Sequence, residues 1–413
     1  MSDSRPRGRA QKADAPIVRH GQLKKVGPSS TILKFLGAAV VVVLVSAASL
    51  GGIVAYRLAS DIGGNSGVGT AVPLDPELPP SIGAIKGGFN VLIVGSDQCE
   101  TKSGCRGAGD RGSGKLNDVT MLLHVSEDQT NAVAVSFPRD LVVPYPSCKK
   151  EDGSGVTSAM AGRPINESLF YGGLGCTATV VESLTGLDIQ YAGLITFNGV
   201  IALSNAVGGV PVCLTKDLSD KYTHLELSKG THTLKGQKAL DFLRSRHGIG
   251  DGSDLTRISS QQTFLSSLIR TIQSKDTLSN PTTVYKIAKA ASRNMQLSTS
   301  LSSLDTMYSM ALALKGLSLD KITFVQYPSL LGQGGLYLGK LAPDTEAANT
   351  LFEYIKEDKR FKLAKAGDGE GSVEDPGASD DSSTSTPDPD ESDVPVIKGT
   401  GQTVSQKTCS VPN

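Results

Sequence analysis

Gly88-Phe89-Asn90-Val91-Leu92-Ile93-Val94-Gly95-Ser96-Asp97 is the stretch from which the fold is read. An apolar run bounded by glycine on each side is the pattern of a buried strand. In open α/β sheets ligands gather at the carboxyl ends of such strands. Asp97, leaving on a Gly-started loop, is therefore a candidate metal or catalytic carboxylate, with a plain turn as the other reading. A second carboxylate, Asp118, opens the strand Val119–Val125. Ser126–Asn131 then reads as a hairpin turn into Ala132–Phe137, which ends in Pro138-Arg139-Asp140. Asp97, Asp118 and Arg139 thus all stand at strand ends. Two carboxylates with several arginines are the pattern of Mg2+ bridging a pyrophosphate, the hard cation on oxygen ligands and the remaining charge on arginine forks.

A second stretch, Leu234 to Gln262, supplies those arginines. Ala239, Leu240, Phe242 and Leu243 form one apolar face of a short helix that delivers Arg244 and Arg246 to its C-terminal end, before a Gly-rich loop. Beyond the loop, Asp254 is read as the cap of a helix whose first turn carries Arg257, with Gln261 one turn further on. Three guanidiniums, an amide and a helix N-terminus across one loop suit a multiply charged phosphate. A solvated basic helix end is the alternative.

The remaining helical periods fall over Asn166–Leu184 (with Asn166 as cap), Gly199–Ala206, Ile258–Ile272, Thr283–Ala291, Leu301–Leu314 and Thr345–Lys356. Strand-like runs fall at Tyr191–Phe197, Val210–Leu214 and Lys321–Gln326. The class is α/β. The 41 basic and 41 acidic residues cancel, so no basic excess points to nucleic acid. The charges are nevertheless segregated. The first 34 residues are basic, and the segment after Lys365 is acidic.

Between the basic end and the rest lies an uncharged run, Phe35 to Tyr56, close to the ~20 residues of a membrane-spanning helix. With positive charge on its N-terminal flank, the N-terminus is expected in the cytoplasm and the chain after Arg57 outside. A buried core helix and a cleaved signal peptide are the other readings. All six cysteines (Cys99, Cys105, Cys148, Cys176, Cys213 and Cys409) follow the run, which suits disulfides in an oxidising compartment. Cys99 with Cys105 and Cys148 with Cys176 are plausible pairs. Cys409 either returns to the domain, to Cys213, or pairs between chains. No CxxC spacing suggests zinc and no G-x-S-x-G suggests a serine nucleophile.

The expected organisation is a basic cytoplasmic tail (1–34), a transmembrane helix (35–56), a Gly/Pro/Ser-rich extracytoplasmic linker (57–86), a catalytic domain (87–360) and an acidic, disordered C-terminal tail (366–413).

Short motifs recur in an ordered series: Val94-Gly-Ser-Asp97, Asn117-Asp118, Ser136-Phe-Pro-Arg139-Asp140, Ile165-Asn-Glu-Ser168 with Tyr171-Gly-Gly173, and Val207-Gly-Gly-Val210. Leu234-Lys-Gly236 then leads to Arg244-Ser-Arg246 and to Asp254-Leu-Thr-Arg257 with Gln261-Gln262. The series, over roughly Gly88–Ser274, resembles the LytR-CpsA-Psr family of cell-wall glycopolymer ligases, most closely actinobacterial members. The resemblance implies an α-β-α domain with a mixed central sheet. It also implies an Mg2+-dependent phosphotransferase that moves a glycopolymer such as arabinogalactan from a polyprenyl-pyrophosphate carrier to a peptidoglycan hydroxyl, at the outer face of the plasma membrane. Asp97 and Asp118 would hold the metal. Arg139, Arg244, Arg246, Arg257 and Gln261 would hold the pyrophosphate. A polyprenyl-pyrophosphate hydrolase and a non-catalytic lipid-binding regulator of envelope synthesis are the alternatives. Leu116 and Ser260 stand where the family commonly has basic residues, and Pro164 stands where it often has lysine. Arg163, Arg111 and Lys115 are the candidates to replace the lost contacts.

Overall fold

The computed structural model describes residues 87–96, 115–274, 281–302, 304–332, 334–363, 366–367, 370–377 and 394–413. In chain order, β1 (Phe89–Ser96), β2 (Asn117–Val125) and β3 (Ala132–Phe137) are followed by the paired β4 (Val142–Tyr145) and β5 (Met160–Pro164), and by α1 (Ser168–Thr185). Next come β6 (Tyr191–Ile195), α2 (Phe197–Val207), β7 (Val210–Leu214), β8 (Leu218–Asp220), β9 (Leu225–Leu227), β10 (Gly230–Leu234), α3 (Gln237–Arg244) and α4 (Asp254–Gln273). After α5 (Pro281–Asn294), β11 (Met295–Leu297), α6 (Leu304–Gly316) and β12 (Ile322–Gln326) stand the hairpin β13 (Ser329–Leu331) and β14 (Leu341–Pro343), then α7 (Thr345–Lys356). Short strands follow: β15 (Lys362–Leu363), β16 (Ser372–Glu374), β17 (Val396–Ile397), β18 (Gly401–Thr403) and β19 (Thr408–Ser410).

Apolar side chains alternate across the strands, so the main sheet is covered on both faces. Leu92, Val94, Leu122 and Val135 pack with Leu174, Val181, Leu351 and Phe352 of α1 and α7. Phe89, Val91, Met121 and Ala134 pack with Met310 and Ala313 of α6 and with Leu265 and Ile269 of α4. Each fully buried leucine or valine contributes about 1.5–3 kcal/mol of transfer free energy. The strand order is β11-β6-β1-β2-β3-β12-β18. β1 runs parallel to β6 and β3 parallel to β12, the other pairs being antiparallel, so the sheet is mixed as expected. A smaller sheet, β10-β7-β19-β16, packs Val210, Val212 and Leu234 against Phe242 of α3 and Phe264 of α4.

The directions of these strands define one functional edge. β1, β3, β6 and β12 all end there, and β2, β11 and β18 begin there. Ser96 is paired with Asn117 at that edge, and Ile195 with Gly95.

The expectation of a disordered 366–413 tail is corrected for 366–367, 370–377 and 394–413, the rest of that tail lying outside the described residues. β18 adds to the main sheet beside β12, and β19 inserts between β7 and β16. Cys409 is bonded to Cys213 at the parallel register that pairs the two residues. Cys148 is bonded to Cys176, tying the segment after β4 to α1. Asn166 does not cap α1. It lies in a one-turn 3₁₀ helix, Ile165–Glu167, and α1 itself is kinked at Gly172 and at Gly173, whose φ is +68°. A Cβ on Gly172 would come within 2.7 Å of the Cys176 Cβ, so the close approach that allows this disulfide requires glycine.

The expected membrane helix (35–56), the linker (57–86) and Cys99 and Cys105 lie outside the described residues. Among the described residues no helix is long and apolar enough to cross a membrane.

Candidate active site

Antiparallel pairing of Thr120 with Phe137 carries Asp118, two residues before Thr120, opposite Arg139, two residues after Phe137. The two meet: Arg139 Nη1 donates to Asp118 Oδ1 at 2.8 Å. Behind them stands Asp254, only 7% exposed. Its Oδ2 accepts the Arg139 backbone N–H at 3.0 Å, and its Oδ1 lies 2.5 Å from Arg257 Nη2 and 3.6 Å from Arg139 Nε. Arg257 Nη2 also donates to the Asp118 carbonyl at 2.9 Å. Asp254 is thus not the cap of α4. Ser253 fills that role by accepting the Thr256 N–H, and Asp254 sits one residue further in as the counter-ion of two guanidiniums.

Burial works against the Arg139 charge, but the Asp118 hydrogen bond and the attraction of Asp118, Asp254 and Asp140 outweigh it and raise its pKa above the ordinary value. Arg139 Nε and Arg257 Nε are buried without a hydrogen-bond acceptor. Asp254 Oδ1, which faces both guanidiniums, is likewise buried without a hydrogen-bond donor, so the cluster is held by charge rather than by complete hydrogen bonding. Asp140 lies 3.6 Å from Arg139 Nε and is also paired with Lys340 of the β13–β14 hairpin.

Arg244 ends α3 with its guanidinium 4.3 Å from the ring centroid of Phe197, the first residue of α2, which follows directly from β6. Because β6 neighbours β1, this places Arg244 on the other side of the β1 end from Asp118 and Arg139. Arg246 turns back, its Nε donating to the Gly252 carbonyl at 2.7 Å. Gln261 donates to the Leu243 carbonyl at 2.9 Å, binding α4 to the end of α3. Arg163, half-exposed on β5, pairs with Glu167 at 3.6 Å and lies 5.9 Å from the Tyr171 ring.

The structure therefore brings Asp118, Arg139 and Arg257 into one cluster, sets Arg244 on the same sheet edge, and commits Arg246 and Gln261 to holding the loop and helix ends. Asp97 lies outside the described residues, next after Ser96, where β1 leaves the sheet beside Asn117. Arg111 is likewise outside them, and Lys115 pairs with Glu151 at 3.0 Å. Ser260 and Ser410 share a hydrogen bond at 2.7 Å, both side chains buried, so β19 packs directly on Ser260 and leaves no room for a longer side chain there.

Two residues have roles that the sequence reading did not assign. Asn117 bridges β2 to the Ile165–Leu169 segment, donating to the Ile165 carbonyl and accepting from the Ser168 hydroxyl and the Leu169 N–H. Asp220, discussed below, is the other. No spacing rule flags either role, since the segments they hold, Ile165–Leu169 for Asn117 and Ser245–Gly248 for Asp220, lie far away in sequence.

A model of the LytR_cpsA_psr family matches residues 69–354. The chain belongs to this family. Among its relatives in the LytR_cpsA_psr family is the cell wall biosynthesis protein LcpA of Corynebacterium glutamicum, 27% identical over 339 residues, covering 76% of this chain and 62% of LcpA. The same organism's LcpB is 32% identical over 200 residues, 47% of this chain and 44% of LcpB, so the chain spans less than two thirds of either relative. The polyisoprenyl-teichoic acid–peptidoglycan teichoic acid transferase TagT of Bacillus subtilis is 26% identical over 262 residues, 62% of this chain and 73% of TagT. The fold matches that of TagV from B. subtilis (TM-score 0.50, 23% identity, 67% of this chain and 99% of TagV). It likewise matches a LytR-Csp2A-Psr enzyme from Actinomyces oris (TM-score 0.50, 20% identity, 69% of this chain and 95% of that one).

Proposed function

We propose that the chain is a phosphotransferase that moves a glycopolymer from a polyprenyl-pyrophosphate carrier to a peptidoglycan hydroxyl. The observation that carries the reading is the Asp118–Arg139 pair, braced by Asp254 and Arg257, set at the strand-end edge that also receives Arg244. The names of LcpA and TagT support the cell-wall setting. An actinobacterial relative makes an arabinogalactan-type polymer the first cargo to try.

The acceptor hydroxyl oxygen attacks the phosphorus that bears the glycan. The phosphoanhydride P–O bond breaks, polyprenyl phosphate leaves with the electron pair, and a phosphodiester to peptidoglycan forms. A carboxylate, Asp97 or Asp118, takes the hydroxyl proton. Arg139 and Arg244, on opposite sides of the β1 end, bear the charge that builds on the transferring and leaving phosphates. Arg257, almost wholly buried, holds Asp254 and the Asp118 backbone in place for Arg139.

Asp118 suits a hard cation, since it is partly exposed and its Oδ2 accepts no hydrogen bond among the described residues. Asp97 and Asp118 would therefore hold Mg2+, which when bound neutralises pyrophosphate charge. The one described grouping of three potential ligand residues, Cys213, Asp375 and Cys409, does not compete, because its sulfurs are bonded to each other. The Phe35–Tyr56 run would anchor the chain in the plasma membrane with the domain outside, where lipid carrier and wall meet.

The test supplies the full-length chain with a polyprenyl-pyrophosphate oligosaccharide and a peptidoglycan fragment while Mg2+ is titrated. The reading predicts metal-dependent glycan attachment, lowered about 100-fold or more in Arg244→Ala. Phosphate release without attachment would instead identify a hydrolase, and binding without chemistry a regulator.

A further inference from the structure

Asp220 ends β8 and is 3% exposed, yet no cation pairs with it among the described residues. A buried carboxylate needs compensation, and here backbone and hydroxyl dipoles provide it. Its Oδ2 accepts from Ser245 Oγ at 2.7 Å, from the Arg246 N–H at 3.1 Å and from the Gly248 N–H at 3.1 Å. Its Oδ1 accepts from the N–H groups of Tyr222 at 2.9 Å and Thr223 at 3.4 Å. Burial alone would push its pKa up, but these bonds win and hold it below the ordinary carboxylate value. Gly248 is pressed against it: an added Cβ would meet Asp220 Cβ at 3.0 Å and Leu218 Cδ1 at 2.9 Å.

Three of the five donors thus come from the segment that immediately follows Arg244 and contains Arg246. We propose that Asp220 is a positioning residue for the anion site, its carboxylate fixing the path of Ser245–Gly248 and hence the direction of Arg244, the residue that segment follows. The proposal rests on the pyrophosphate reading above.

Its sign separates it from a simple charge effect. A carboxylate near an anion site repels the anion, so removing its charge alone should tighten binding. Loss of positioning should weaken it. Asp220→Asn keeps the size but turns an NH2 group, or a single acceptor, toward three donors. Gly248→Ala keeps the Asp220 charge and displaces the loop by contact.

The experiment measures binding of inorganic pyrophosphate, and kcat and KM for a short-chain prenyl-pyrophosphate sugar, with full-length wild type, Asp220→Asn, Gly248→Ala and Arg244→Ala. Expected is a rise of about tenfold in Kd and KM for both Asp220→Asn and Gly248→Ala, with kcat changed less than about threefold. A merely structural role would lower the active fraction, so apparent kcat would fall and KM would stay. Asp220→Asn that binds pyrophosphate as well as wild type, or better, overturns the proposal. So does an unchanged KM in Gly248→Ala, which decides the matter where Asp220→Asn fails to fold. Wild type that binds no more pyrophosphate than Arg244→Ala would sink the site reading itself, and the proposal with it.

Discussion

Asp254 shows how much can hang on one side chain. It neutralises Arg257 and lies against Arg139 in a nearly dry setting, so Asp254→Ala leaves two guanidiniums short of a counter-ion. A loss of about 3–5 kcal/mol in urea-unfolding free energy is expected. A loss under about 1 kcal/mol would mean the pair is not a buried strut. Asp220 sets a pH dependence of definite sign. Its folded pKa lies below the ordinary 3.8, so its contribution is present in full above that value and is lost as pH falls through the lower, folded one. Acid titration of stability should therefore be shallower in Asp220→Asn below about pH 4 than in wild type. At this scale the sequence was half legible. Strand-end residues Asp118 and Arg139 were found because short apolar runs point to their ends. Asp254 was misread as a cap because a helix-start Asp looks the same whether it faces its own backbone or a distant arginine.

Among the elements, long ones declared themselves and short ones did not. Ala132–Phe137 and Thr345–Lys356 were read to the residue, because burial on both faces or a clear helical period leaves little choice. β18 and β19 span three residues each, too few for any period, and they follow an acidic stretch whose composition argues for disorder. Their stability comes from partners: β12 for one, β7 and the Cys213–Cys409 bond for the other. That bond closes a separation of 196 residues, and Cys213→Ser with Cys409→Ser should cost about 2–4 kcal/mol, read as a lower urea midpoint. The same strand explains Ser260. Its partner Ser410 occupies the space, so Ser260→Lys is expected to destabilise by burying an unpaired charge rather than to add a phosphate contact.

Across the whole domain, the mixed sheet gathers the carboxyl ends of four strands and the starts of the other three on one edge, and two helices lay Arg244 and Arg257 against it. This edge was foreseeable from the strand run at Phe89–Val94. The division of labour among the arginines was not, since Arg246 and Arg257 are spent on the protein itself and only contacts in space reveal that. The central claim is that the edge performs phosphoryl transfer, and its most direct test is glycan transfer from a polyprenyl-pyrophosphate donor to peptidoglycan by full-length wild type and Arg139→Ala. The account predicts one polyprenyl phosphate released per glycan attached by wild type, and a fall of about 100-fold or more in Arg139→Ala that remains folded. Transfer at the wild-type rate by folded Arg139→Ala would contradict it.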